Sequence, residues 1–234
     1  MNILPPYEIY VDEANTPLFE PKPGLCTPYA VAAVAMSPLD RDNIIAILPR
    51  DDSGNLLKSS SALMTDELAA KFIRDLFELN VLVAMVGVDA TDPENCGLAD
   101  VMNRKANEIR HKKLTKPNMM YVRTVIQALA NIWSTDKITF FDLILDSSSL
   151  PKKESRLFCS VLEDKFGSRG TTVREIRWQT EQVEPLLLAP DILAGVGSRW
   201  STHQDVPASW DEIVRGHSAG KLIIENGFEV YTAC

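Results

Sequence analysis

Four aspartates in this 234-residue chain stand where an apolar run ends or a helix begins. Asp12 sits near the end of Tyr7 to Asn15, Asp89 follows Val81 to Val88, Asp146 closes Lys137 to Leu145, and Asp191 lies beside Pro190 in LLLAPDILAGV; Glu13 is adjacent to Asp12. A carboxylate delivered by a buried strand must be solvated, hydrogen-bonded or bound to a cation. Taken singly, each acid is explained by helix capping or plain solvation. Together they suggest one site, because parallel strands place their carboxyl ends on a common sheet edge, where open α/β sheets form ligand crevices. Clustered oxygens without nitrogen or sulfur ligands select Mg²⁺ or Mn²⁺. Two such ions roughly 4 Å apart activate water and stabilise the leaving oxygen of a phosphodiester.

Local sequence signals outline the strands and helices around these acids. YEIYVDEAN is rich in β-branched and aromatic residues between Pro5-Pro6 and Pro17, which predicts a short strand with sharp ends. Leu18 to Pro28, with three prolines and a glycine, predicts an extended connection. Tyr29 to Met36 and Val81 to Val88 are continuously apolar and predict buried strands. Ile44 to Leu48 reads as a further strand, and DDSGN from Asp51 as a turn. Thr65 as N-cap, acids in the first turn, and Leu68, Phe72, Leu76 and Leu79 at helical spacing predict a helix. Helices are also expected over Gly97 to Lys113, Pro117 to Trp133, Pro151 to Phe166 and from Pro190 towards Trp200, with strands at Lys137 to Leu145 and Thr171 to Trp178. Near the carboxyl end, Ser209 and Glu212 have capping-box spacing, and Asn226-Gly227 resembles a hairpin turn.

Composition narrows the classes. At 45% hydrophobic residues the chain can bury a substantial core, most simply as one α/β domain. No run of eighteen apolar residues and no basic-then-apolar amino terminus occurs, so no membrane association and a cytoplasmic location are expected. The four cysteines are scattered and the three histidines do not cluster with them, which disfavours zinc and disulfides. The net charge of −8 runs against a protein that holds nucleic acid chiefly by its phosphates, unless a local basic patch supplies the grip. Arg104, Lys105, Arg110, His111, Lys112, Lys113 and Lys116 form such a concentration. It reads either as a solvated helix face or as a phosphate-contacting edge.

The opening YVDEAN is similar to the Tyr-Ile-Asp-Glu-Ser-Gly start of a bacterial and phage family known as domain of unknown function 3800. Leu57-Lys58-Ser59-Ser60, LILDSSS and LLLAPDILAGV resemble three further segments of that family in the same order. The resemblance spans Tyr7 to about Trp200 and implies a ribonuclease-H-like fold, a central mixed sheet with helices on both faces. A domain over residues 1–200 with a carboxy-terminal extension, 201–234, packed upon it is therefore expected. The resemblance also implies Asp12, Asp146 and Asp191 as an acidic site, with Glu13 and Lys58 as neighbours. The family's Ser and Gly are Ala14 and Asn15 here, its Glu is Leu56, and its Gln and Ala are Leu188 and Pro190.

The leading expectation is a metal-dependent nuclease in which Asp12, Asp146 and Asp191 hold Mg²⁺ or Mn²⁺. Asp89 or Glu13 would complete the shell, and Lys58 would neutralise charge on a phosphate. Two rivals stand beside it: a catalytically inactive relative that binds a protein partner or nucleic acid, and an enzyme acting on a small phosphorylated metabolite. A glycine-rich nucleotide loop is absent from the sequence, and Ser147 and Ser148 lack a recognisable histidine partner, so a nucleotide cofactor and serine-hydrolase chemistry are not expected.

Overall fold

The computed structural model describes residues 6–14, 29–88, 116–136, 138–147, 152–167, 170–200 and 207–225. Strands β1 (Tyr7–Ala14) and β2 (Tyr29–Met36) are followed by a 3-10 turn at Pro38–Asp40 and helix α1 (Arg41–Ile47). Next come α2 (Asp66–Glu78), β3 (Val81–Val88), α3 (Lys116–Asp136), β4 (Phe140–Asp146), α4 (Lys152–Gly167) and β5 (Thr172–Gln179). A 3-10 turn at Pro185–Leu187 leads into α5 (Leu188–Trp200), and α6 (Ala208–Ser218) and β6 (Leu222–Glu225) follow. The connection expected over Leu18 to Pro28, the helix over Gly97 to Lys113 and the turn at Asn226-Gly227 lie outside the described residues.

The strands form one mixed sheet in the order β5-β4-β1-β2-β3-β6. β1 pairs in parallel with β4, β4 with β5, and β3 with β6, whereas β2 is antiparallel to both β1 and β3. Strand alternation then assigns two cores. Tyr10, Ala32, Val34 and Met85 face one side, where they pack with Phe72 and Ile73 of α2, Ile192 and Leu193 of α5 and Trp210 of α6. Ile9, Val11, Val31 and Leu143 face the other, against Val125 and Leu129 of α3 and Phe158 and Leu162 of α4. β2 is buried along its whole length, which is why its sequence is unbroken small apolar residues. Each fully buried Leu, Ile or Phe contributes about 1.5–3 kcal/mol, so this double core fixes the sheet edge on which the acids stand.

Two local readings are corrected. Ile44 to Leu48 is not a strand: residues 41–47 are helical, and only Ile44 of the helix is buried. Ser37 caps the preceding turn by accepting from the Leu39 N–H, and that turn starts the helix upstream of its apolar residues. A five-residue apolar run is too short to distinguish the two periods. Nor do Ser209 and Glu212 form a capping box. Pro207 is the N-cap of α6, and Ser209 lies within the helix. Its hydroxyl donates to Asp66 at the start of α2, and Glu212 accepts from Arg74 at 2.7 Å. Both polar groups join α6 to α2, and Gly216 lets the helices close: a Cβ there would lie 2.2 Å from Phe77.

Candidate metal centre

The parallel pairing of β1, β4 and β5 turns three strand ends into one polar edge. The register sets Val11 beside Leu145, so Asp12 and Asp146 emerge one residue later on adjacent strands. Asp146 in turn pairs with Gln179, the last residue of β5, and the Ser147 N–H donates to the Gln179 carbonyl at 2.7 Å. The chain leaving β5 turns at once, with the Val183 and Glu184 N–H groups donating to the Thr180 carbonyl at 2.9 and 2.8 Å. This turn carries Glu181. One carboxylate oxygen from each of Asp12, Asp146 and Glu181 lies within 4.8 Å of the others.

Burial gives that proximity its chemical consequence. Asp12 is 6% exposed and Asp146 8%. Burial holds the Asp12 carboxyl well above the ordinary carboxylate range, and the charges of Glu13, Asp191 and Asp146 push it further. The Glu13 N–H donates to Asp12 Oδ1 at 2.8 Å and opposes the shift. A set of half-desolvated oxygens that repel one another requires a proton or a cation. With no nitrogen or sulfur in the set, it fits a hard divalent ion.

Asp191 stands at the start of α5 and is held by the loop after the Asp51 turn. The Ser59 N–H donates to Asp191 Oδ2 at 2.8 Å and the Ser59 hydroxyl to Oδ1 at 2.6 Å. Burial raises the Asp191 carboxyl, Ser59 counters it, and nearby Glu181 raises it again. Lys58 donates to Glu181 at 2.5 Å, and that bond raises the ammonium pKa. Beside these residues runs a groove of about 350 Å³ lined by Glu13, Ser59, Ser60, Asp191, Ser198 and Arg199.

Of the residues singled out in the sequence, Asp12 and Asp146 meet, Asp191 and Lys58 border them, and Glu13 lines the groove. Asp89 and residues 104–113 of the basic segment lie outside the described residues; Lys116 opens α3. Glu181 is not among the residues singled out by the sequence, and Ser59 figures there only within the segment Leu57 to Ser60. Glu181 carries the same signal as the other acids, since it too lies just beyond a strand.

No protein-family model and no curated protein matches the chain. Among solved structures, a point mutant of Bst-RNase HIII superposes with a TM-score of 0.51 at 16% identity, covering 91% of this chain and 55% of that one. Bst-RNase HIII in complex with Mn²⁺ gives a TM-score of 0.49 at 15% identity, covering 97% and 60%. The chain thus has a ribonuclease-H-like fold and spans a little over half the length of the first of these structures. Among the described residues, no helix is long and apolar enough to cross a membrane.

Proposed function

We propose that this chain is a metal-dependent phosphodiesterase acting on nucleic acid, with Asp12, Asp146 and Glu181 holding Mg²⁺ or Mn²⁺. The observation that carries the reading is the approach of these three carboxylates, from β1, β4 and the turn after β5, to within 4.8 Å of one another at a partly buried edge. The ribonuclease-H-like fold agrees with it. A divalent ion bound there would supply Lewis-acid chemistry for phosphodiester hydrolysis.

The remaining roles belong to the chain itself. Asp191, oriented by Ser59, borders the cluster and can take the proton of a water or complete the coordination shell. Lys58 neutralises Glu181 in the free protein and is placed to meet phosphate charge when substrate arrives. The groove offers the Ser60 hydroxyl and the Arg199 guanidinium to the sugar-phosphate flanking the cut, while the hydroxyls of Ser59 and Ser198 already donate to Asp191 and to the Gly195 carbonyl. The segment from Arg104 to Lys116 would supply further phosphate contacts. We also propose kinship with the domain of unknown function 3800, whose acidic positions correspond to Asp12, Asp146 and Asp191.

Calorimetric titration of Mn²⁺ and Mg²⁺ into chelator-treated protein, and into Asp12→Asn and Glu181→Gln, tests the centre. Binding by the wild type that is lost in both variants, with metal-dependent cleavage of single- or double-stranded oligonucleotides, is the expected result. Unaltered binding in both variants would overturn the assignment.

A further inference from the structure

Arg41 is the first residue of α1, an unfavourable place for a cation because the helix dipole is positive there. Oxygens of three residues hold it. Nη1 donates to Glu8 Oε2 at 2.7 Å and to the Tyr10 hydroxyl, and Nη2 donates to both oxygens of Glu184 at 3.0 and 2.9 Å. Glu8 and Glu184 are 8% and 6% exposed, so each would be a buried charge short of compensation without the guanidinium. Arg177 adds only a longer contact to Glu8, at 3.3 Å.

What matters is where the bonded groups sit. Glu8 and Tyr10 precede Asp12 by four and two residues on β1, and strand alternation puts all three on one sheet face. Glu184 closes the turn that begins at Thr180 and carries Glu181. Arg41 therefore bridges, with one planar and rigid group, the strand of one candidate ligand and the turn of another. Leu186 and Leu187, just beyond the turn, are fully buried and would anchor the chain even without the bridge. Loss of Arg41 should shift the turn rather than unfold it.

We propose that Arg41 is a positioning residue for the carboxylate centre: it fixes the turn from Thr180 to Glu184 against β1 and so sets the separation of Asp12 and Glu181. This rests on the metal-binding reading given above. Arg41 touches neither ligand and acts through Glu8, Tyr10 and Glu184.

The test is Mn²⁺ affinity, followed by the electron paramagnetic resonance signal of the free ion, in four proteins. These are the wild type, Arg41→Gln with Glu184→Gln, Arg41→Lys, and Arg74→Gln with Glu212→Gln. The first double variant removes one charge of each sign, so the net field at the centre is little altered. The second removes a comparable ion pair joining α2 to α6 and serves as the structural control. Outer-shell partners of metal ligands typically account for 10–100-fold in affinity, and a loss of about tenfold is expected in the Arg41/Glu184 variant. Arg41→Lys, which keeps the charge and loses the fork, is expected to be weakened in the same direction. The control is expected to melt earlier yet bind Mn²⁺ as the wild type does. Wild-type affinity in a folded Arg41/Glu184 variant overturns the inference alone, and should that variant not fold, Arg41→Lys decides by the same criterion. Failure of the wild type to bind Mn²⁺ overturns the metal reading and the inference with it.

Discussion

Ser59 engages both carboxylate oxygens of Asp191, through its N–H at 2.8 Å and its hydroxyl at 2.6 Å, and this grip is possible because residue 195 is glycine. About one helical turn beyond Asp191, a Cβ at position 195 would lie 2.5 Å from the Ser59 Cβ and 2.8 Å from its oxygen. Helix α5 thus rests directly on the serine that orients its own acid. Gly195→Ala is expected to displace Ser59 and cost about 1–3 kcal/mol, the usual range for overpacking. Urea denaturation at neutral pH measures it. An unchanged midpoint would mean that the loop yields without cost.

Ser59→Ala removes the hydroxyl but leaves the backbone donor. A hydrogen bond to a charged group is worth about 1.5–3 kcal/mol, and its loss should also raise the Asp191 pKa further. Carboxylate titration by nuclear magnetic resonance on isotope-labelled protein would show the upward shift; a shift downwards would contradict the hydrogen-bond assignment.

Asp12 and Asp191 both have folded-state pKa values raised above their ordinary 3.8. The folded protein therefore holds protons that the unfolded chain releases. Their contribution to stability is fully present below about pH 4 and is lost as pH rises through the raised folded values. In chelator-treated protein, the urea midpoint contributed by these groups should fall as pH rises above about 4, and Asp12→Asn should flatten that decline. An identical slope in wild type and variant would place the proton elsewhere. Saturating Mn²⁺ should restore the midpoint at neutral pH by binding the ionised form.

Lys58 competes with a cation for the charge of Glu181. A unit positive charge near 4 Å from a divalent ion costs about 2 kcal/mol in water, so Lys58→Met should tighten Mn²⁺ binding roughly thirtyfold. The same variant should cleave oligonucleotides more slowly if the ammonium meets the phosphate. Weaker Mn²⁺ binding would instead make Lys58 a scaffold of the Glu181 turn.

At the other end of the sheet, Ser209→Ala deprives Asp66 of its hydroxyl partner between α6 and α2. A loss of about 1.5–3 kcal/mol is expected, as for other hydrogen bonds to a charged group, with Mn²⁺ affinity unaffected. Thermal melting together with the Mn²⁺ titration separates the two effects, and a change in affinity would show that α6 reaches the centre.

Strands β1, β2, β3 and β4, the capped helix α2 and the strand-end placement of Asp12 and Asp146 are legible in the amino-acid order, because hydrophobic period and breakers are local properties. The same order leaves α1 open to misreading, since its apolar run is short and its first turn lies among polar residues. Which acids meet depends instead on strand order and register. Glu181 joins Asp12 and Asp146 because β5 lies parallel to β4 and the chain turns immediately after it. Arg41 reaches Glu184 across 143 residues of sequence. A charged side chain in a connector carries no period and no cap, so nothing local reveals its partner. Its role is fixed only when strand order and register bring a distant charge to it, and burial then makes their pairing obligatory.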